Sequence, residues 1–280
     1  MKIDLHVHSN RSKDGLVTVE ELLGKAELER VDVISITDHT SIKALLELET
    51  IEAPSRVVTI PGIEINTYDG IEIHVLGYGL DIRSPAITDL INMHDENTEY
   101  NLELIFWMLK KMGIEIEKET HSFGGRKDIA EYLVKKNAAQ TISGAFATYL
   151  DGEEYAKLPL RRIDPACAIE CIRSANGEAV LAHPLSLNLC DADLANTFKR
   201  LKDYGLCGIE AYYASYSSAS QKKLAQLAKG LNLLQTSGSD FHGWGEGCRA
   251  NFGDFRQSKE AVAASLEFLK FLKGRSLNDL

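Results

Sequence analysis

Residues 3–15 read IDLHVHSNRSKDG, a short apolar run that ends in two histidines one residue apart. In an extended chain successive side chains alternate faces, so His6 and His8 point the same way. Two imidazoles on one face at the end of a strand can hold one metal ion. Taken alone, the pair is better read as an ordinary surface strand with two solvated histidines, so the other histidines have to decide.

The runs around it repeat the theme. Apolar, β-rich segments occur at IDLHVH, VDVISITDH, VVTIPGIEIN, IEIHVLGYGL, EAVLAHP, GIEAYY and LLQTSGSDFH. Helical patterns fall between several of them. TVEELLGKAELE starts with Thr18 as N-cap and Glu21 three residues on, a capping box. DADLANTFKRLKDYG precedes the sixth run and SASQKKLAQLAKGLN the seventh. Strands alternating with helices imply parallel pairing and an α/β architecture.

Residues 85–178 break the alternation. NTEYNLELIFWMLKKMG carries apolar residues at helical spacing and stops at Gly113, and KDIAEYLVKK and IDPACAIECIRSA are further helical candidates. The stretch is too long for a simple crossover. The expectation is therefore a barrel from residues 1–84 and 179–280, with 85–178 inserted as a helical subdomain that covers one end of it.

Of 8 histidines, six sit at or in strand candidates: His6, His8, His39, His74, His183 and His242. Asp14, Glu64 and Asp240 accompany them. In a parallel barrel the C-terminal strand ends converge on one face, so these nine side chains are expected in one pocket. Each alone has an ordinary structural explanation; six histidines at strand ends together do not. Mixed imidazole and carboxylate donors suit Zn, Mn, Fe or Co, and nine donors suit two or three ions. Such sites stabilise the attacking and leaving oxygens of phosphoryl displacement. His94 reads as a helix surface residue and His121 as a loop residue.

The bulk properties fit a soluble globular protein. The chain has 280 residues, 44% hydrophobic and 26% charged, with a net charge of −10. That charge disfavours a broad grip on duplex DNA, and the acidic balance favours a monomer. No apolar run is long enough for a membrane helix, and no signal region precedes the first strand. The 5 cysteines are scattered without a CxxC pair, which points to reduced thiols in a cytoplasmic protein.

HVHS, TDH, PGIEI, IHVLGY, AHP and SDFHG, in this order, resemble the PHP (polymerase and histidinol phosphatase) family of metal-dependent phosphoesterases over essentially the whole chain. The insertion resembles that of the bacterial subgroup acting on small nucleotides and short RNA. The resemblance implies a distorted (β/α)7 barrel, with the insertion between the fourth and fifth strands, and a trinuclear site. One metal would take His6, His8, Glu64 and Asp240. A second would share Glu64 and add His74 and His183. A third would take Asp14, His39 and His242. Asp38 would orient a ligand.

The implied substrate is a nucleotide phosphomonoester such as a nucleoside 3′,5′-bisphosphate, attacked by metal-activated water. Asp14 and His39 would be catalytic, and both would touch substrate. Asn101, Arg126 and Lys127 would contact substrate as well. The match is weaker here: Thr98 and Asn101 stand where arginines are expected, and RKDIA keeps Arg126 but has Lys127 and Asp128 in place of Pro and His. A cyclic sugar-phosphate hydrolase, a histidinol phosphate phosphatase and a 5′–3′ exonuclease on short RNA are the alternatives on this scaffold. A metal amidohydrolase is disfavoured because no strand-end lysine offers a bridging carbamate. A metal-stabilised binding module would have lost ligands, and all nine are present.

Overall fold

The computed structural model describes residues 1–51, 54, 56–118, 121–244, 252 and 257–276. The fold is mixed α/β. Its strands are β1 (Ile3–Val7), β2 (Val33–Ile36), β3 (Val58–Thr59), β4 (Gly62–Tyr68), β5 (Glu72–Tyr78), β6 (Glu178–Leu181), β7 (Gly208–Tyr213) and β8 (Leu234–Gly238). Its helices are α1 (Val19–Leu28), α2 (Lys43–Leu48), α3 (Pro85–Lys111), α4 (Arg126–Lys135), α5 (Ile142–Ala145), α6 (Glu153–Ala156), α7 (Pro165–Ser174), α8 (Asp191–Tyr204), α9 (Ser218–Gly230) and α10 (Lys259–Ser276). The expected capping box starts α1: Glu21 N–H donates to Thr18 Oγ1 at 3.2 Å and Thr18 N–H to Glu21 Oε2 at 2.9 Å.

Parallel pairing holds for only part of the chain. β1, β2 and β3 form a parallel sheet in that order. β4 to β8 form a second sheet in chain order, in which β4–β5 and β5–β6 are antiparallel and β6–β7 and β7–β8 parallel. The expectation of parallel pairing throughout fails at Asp69–Gly70. Gly70 has φ +72°, and Asp-Gly between β-rich runs is a hairpin signal. The chain therefore turns straight back from β4 into β5.

VVTIPGIEIN is likewise two strands rather than one. It is interrupted at Ile60–Pro61, where proline supplies no N–H to a ladder. Among the described residues no single sheet closes on itself. Two isolated parallel bridges, Val7 to Phe241 and His39 to Glu64, link the paired segments.

Two compact units divide the chain: Met1–Ile91 with Ile163–Leu280, and Asn92–Arg162. The second is shorter than the expected 85–178 insertion. Ile87 and Leu90 from the start of α3, and Ala168, Ile169 and Ile172 from α7, are buried in one cluster with Ile63, Val75 and Leu181. Burying those faces draws both ends of the stretch into the first unit. The second unit has its own core of Ile105, Phe106, Leu109, Ile129, Leu133, Ala145, Leu150 and Tyr155.

Cys167, Cys171, Cys190 and Cys207 carry thiols; Cys248 lies outside the described residues. No helix among the described residues is long and apolar enough to cross a membrane.

Candidate metal centre

Backbone hydrogen bonds bring the ligand-bearing segments together. His8 N–H donates to Phe241 O and Asp240 N–H to His6 O, each at 2.8 Å, so the end of β1 lies along the segment after β8. Thr37 N–H donates to Val7 O at 2.8 Å and Thr40 N–H to Glu64 O at 2.7 Å. The ends of β1, β2 and β8 thus meet the first half of β4. Thr40, His183 and Asp240 have φ of +42°, +25° and +56°. Left-handed backbone at non-glycine residues persists only where surrounding contacts enforce it.

The fully buried Glu64 carboxylate is central. Its Oε2 lies 3.3 Å from His6 Nε2, 3.2 Å from His8 Nε2 and 3.1 Å from His39 Nδ1. Its Oε1 lies 2.9 Å from His74 Nδ1 and 3.1 Å from His183 Nε2. Asp240 Oδ1 adds contacts of 3.3 Å to His6 Nε2 and 3.2 Å to His8 Nε2. At the more open edge, Asp14 Oδ2 is 3.4 Å from His39 Nε2 and 3.2 Å from His242 Nε2.

Three overlapping groups have ligand atoms within 4.8 Å of one another: His6, His8, Glu64 and Asp240; His8, Asp14, His39 and His242; and His39, Glu64 and His74. The structure thus brings all nine expected side chains together, His183 through its contact with Glu64.

The donor set fits divalent cations. His6 Nε2, both ring nitrogens of His8, His39 Nδ1 and Glu64 Oε2 are buried without a hydrogen-bond partner. Buried polar atoms are ordinarily satisfied, and here His6 Nε2, His8 Nε2 and His39 Nδ1 all lie within 3.3 Å of Glu64 Oε2. Burial pushes the Glu64 carboxyl up, but His39, His6 and His74 outweigh it and hold the group well below its usual range. Burial likewise opposes charge on His8, yet Asp240 and Glu64 raise it to about 9, and Glu64 raises His74 to about 10. Acidic oxygens and imidazole nitrogens at such spacing need a shared positive charge, supplied by protons or by a metal ion.

Several supporting residues carried no sequence motif. Glu210 in β7 is fully buried and lies 3.0 Å from His6 Nδ1. Tyr213 donates its hydroxyl to Asp240 Oδ2 at 2.9 Å, and Ser186 Oγ is 2.9 Å from His183 Nδ1. The one available signal was a glutamate inside the otherwise apolar GIEAYY, since a charge in a buried strand requires a partner. Asp38 binds Ser9 rather than a histidine: its two oxygens accept the Ser9 N–H at 2.7 Å and the Ser9 hydroxyl at 2.6 Å. It fastens the turn that follows His8.

The expected substrate residues of the second unit have local partners. Asn101 clamps the Arg161 backbone, donating to its carbonyl and accepting its N–H, both at 2.8 Å. Arg126 donates to Asp151 Oδ1 at 2.9 Å, and its guanidinium lies 5.5 Å from the ring centres of Phe146 and Tyr155. Lys127 is exposed on the first turn of α4. Gly124 N–H donates to Asp128 Oδ2 at 2.6 Å, so a carboxylate of the chain itself takes a donor there. His121 packs edge-on to Tyr132, with ring centres 4.9 Å apart.

Comparison with known proteins gives the chain's relatives. The family model of the PHP domain matches residues 4–158. A 5′–3′ exoribonuclease of Haemophilus influenzae is 30% identical over 257 residues, covering 87% of this chain and 92% of that protein. A phosphoribosyl 1,2-cyclic phosphate 1,2-diphosphodiesterase of Eggerthella lenta is 31% identical, covering 86% and 94%. The solved structure of an amidohydrolase from Chromobacterium violaceum, with bound sulfate and no metal, superimposes with a TM-score of 0.74 at 26% identity, covering 89% of this chain and 90% of that one.

The family match and these relatives make the protein an enzyme, a metal-dependent phosphoesterase. The chain belongs to the PHP domain family.

Proposed function

We propose that the enzyme hydrolyses a nucleotide phosphoester at a trinuclear centre, with a nucleoside 3′,5′-bisphosphate as substrate. The reading rests on one carboxylate, Glu64, facing five imidazoles, with its Oε2 and the His6, His8 and His39 nitrogens nearest that oxygen lacking hydrogen-bond partners. His6, His8, Glu64 and Asp240 would hold one ion, Glu64, His74 and His183 a second, and Asp14, His39 and His242 a third. Manganese, zinc or iron suits these donors. Divalent ions bound there lower the pKa of water and neutralise charge on the phosphoryl oxygens.

The chain's own residues supply the rest. Glu64 and Asp240 hold negative charge in the buried part of the site, which orients the imidazoles around them. Asp14 and His39, 3.4 Å apart at the partly exposed edge, are suited to contact substrate, with the His39 ring as the proton donor to the departing alkoxide and Asp14 orienting that ring. We read the two sheets as parts of one distorted barrel, supported by the Val7–Phe241 and His39–Glu64 bridges. The second unit would help select the substrate.

The Haemophilus influenzae relative favours a second reading, removal of nucleotides from the 5′ end of short RNA. The Eggerthella lenta relative favours a third, opening of a cyclic ribose phosphate.

The deciding experiment measures phosphate release by manganese-reconstituted protein from adenosine 3′,5′-bisphosphate. AMP, a cyclic ribose phosphate and a short 5′-phosphorylated RNA run beside it, with His8→Ala as control. Preference for the bisphosphate supports the first reading. Preference for RNA or for the cyclic ester replaces it by the second or third. No hydrolysis of any of them overturns the nucleotide assignment.

A further inference from the structure

Behind the ligand face stands a carboxylate that the proposed centre does not use. Glu210 lies in β7, where every residue is buried, and its own exposure is 0%. Its Oε1 is 3.0 Å from His6 Nδ1 and its Oε2 accepts the His183 N–H at 2.8 Å. One side chain therefore touches two of the residues proposed as ligands to different ions, through a ring nitrogen of one and the backbone of the other.

We propose that Glu210 is a positioning residue that fixes His6 with its proton on Nδ1, presenting Nε2 to the metal, and anchors the strained backbone of His183. The inference rests on the metal-centre reading above.

The physical argument begins with the carboxylate. An ionised carboxylate only accepts hydrogen bonds, so the His6 atom facing Oε1 must carry the hydrogen. Nε2 is then the donor atom left for a cation, and it is the nitrogen that lies 3.3 Å from both Glu64 and Asp240 without a hydrogen bond. A lone pair aimed at two carboxylate oxygens is repulsive unless a cation lies between them. Imidazoles that bind metals commonly give their second N–H to a carboxylate, which sets tautomer and ring orientation.

The surroundings leave Glu210 little freedom. The pairing of β7 with β8 shifts register between Glu210 and Tyr212, and such irregularities re-aim side chains. At the end of β8, a Cβ on Gly238 would lie 2.3 Å from His6 Cβ and 2.5 Å from Glu210 Oε1. Only glycine lets the two side chains meet. His183, at φ +25°, gives its N–H to the same carboxylate, so the backbone held there is the one that carries the His183 ring.

The test uses the full chain, labelled with ¹⁵N-histidine and loaded with zinc, as wild type and as Glu210→Gln. Glutamine keeps one acceptor oxygen and loses the other, so it cannot accept from both His6 and His183. We expect the wild-type His6 signal to show a protonated Nδ1 and a zinc-bound Nε2. In Glu210→Gln, zinc affinity measured by competition with a chelator should weaken by about 10- to 100-fold, with an altered His6 signal.

Zinc affinity within twofold of wild type with an unchanged His6 signal overturns the proposal. So does a wild-type His6 bound through Nδ1, which needs no variant and decides the matter if Glu210→Gln fails to fold. A wild-type protein that takes up no zinc, manganese or iron overturns the metal-centre reading itself, and is distinguished from the other outcomes by that absence.

Discussion

Glu64 Oε1 and His74 Nδ1 meet at 2.9 Å because β4 and β5 run antiparallel. Asn66 pairs with His74 across the ladder and Glu64 with Leu76, so Glu64 and His74 are diagonal neighbours on one face, close enough for long side chains to touch.

That hairpin gives a stability prediction. Gly70 has φ +72° and open space where a Cβ would go. Gly70→Ala therefore acts through backbone strain and not through a clash, and should destabilise the protein by about 1 kcal/mol. Denaturant unfolding measures it; an unchanged midpoint contradicts the left-handed turn.

Glu64 is shared by two of the three proposed ion sites, and its Oε2 also lies 3.1 Å from His39 Nδ1. Glu64→Gln should remove bound metal and lower phosphoester hydrolysis by more than about 100-fold. Elemental analysis beside a phosphate-release assay checks both. Retention of the full metal complement would show that the imidazoles and Asp240 suffice.

Metal affinity should rise with pH. In the metal-free protein His8 and His74 have pKa values raised from 6.5 to about 9 and about 10. Burial lowers both, but the neighbouring carboxylates prevail. Metal binding must displace these protons, so raising the pH from 6 to 8 should tighten zinc binding, with protons released into the buffer. Calorimetry in two buffers of different ionisation enthalpy measures the release.

The same shifts set the pH dependence of stability without metal. A histidine whose folded pKa is raised contributes stability that is fully present below its unfolded value and is lost as pH rises through the folded value. Metal-free protein should therefore weaken progressively between pH 6.5 and about 10, while metal-loaded protein weakens less. Equal slopes for the two forms would show that these histidines do not bind the metal.

Arg126 separates a structural role from substrate binding. Its guanidinium pairs with Asp151 and lies against Phe146 and Tyr155. Arg126→Ala should lower stability by about 1 kcal/mol, of the order expected for a partly exposed pair with aromatic contacts, and change KM less than twofold. A KM increase without a stability change would return Arg126 to the substrate site.

Much of the local structure was legible along the chain. The Thr18–Glu21 capping box, the helical patterns of α8 and α9, and the histidines at the ends of β1 and β2 follow from spacing alone. The Asp69–Gly70 turn was also visible in the sequence, but the apolar runs on either side fitted the alternating pattern of a parallel barrel equally well. Glu210 carried only the weak signal of a charge in an apolar strand. The second unit, Asn92–Arg162, is shorter than the 85–178 stretch because Ile87, Leu90 and the buried face of α7 are helical residues like those beyond them but pack in the first unit's core. Helical periodicity says that a face is buried, not which core buries it.

The sequence by itself determined the inventory: nine imidazole and carboxylate side chains, most of them next to short buried strands, and the motifs that carry the family resemblance. Tertiary structure alone decided that Glu64 faces five imidazoles, that His74 reaches it across a hairpin, and that Glu210 stands behind His6. Side-chain chemistry and local periodicity are written residue by residue. Which carboxylate meets which ring depends on strand direction and register, and these are set by long-range backbone pairing between segments far apart in the chain.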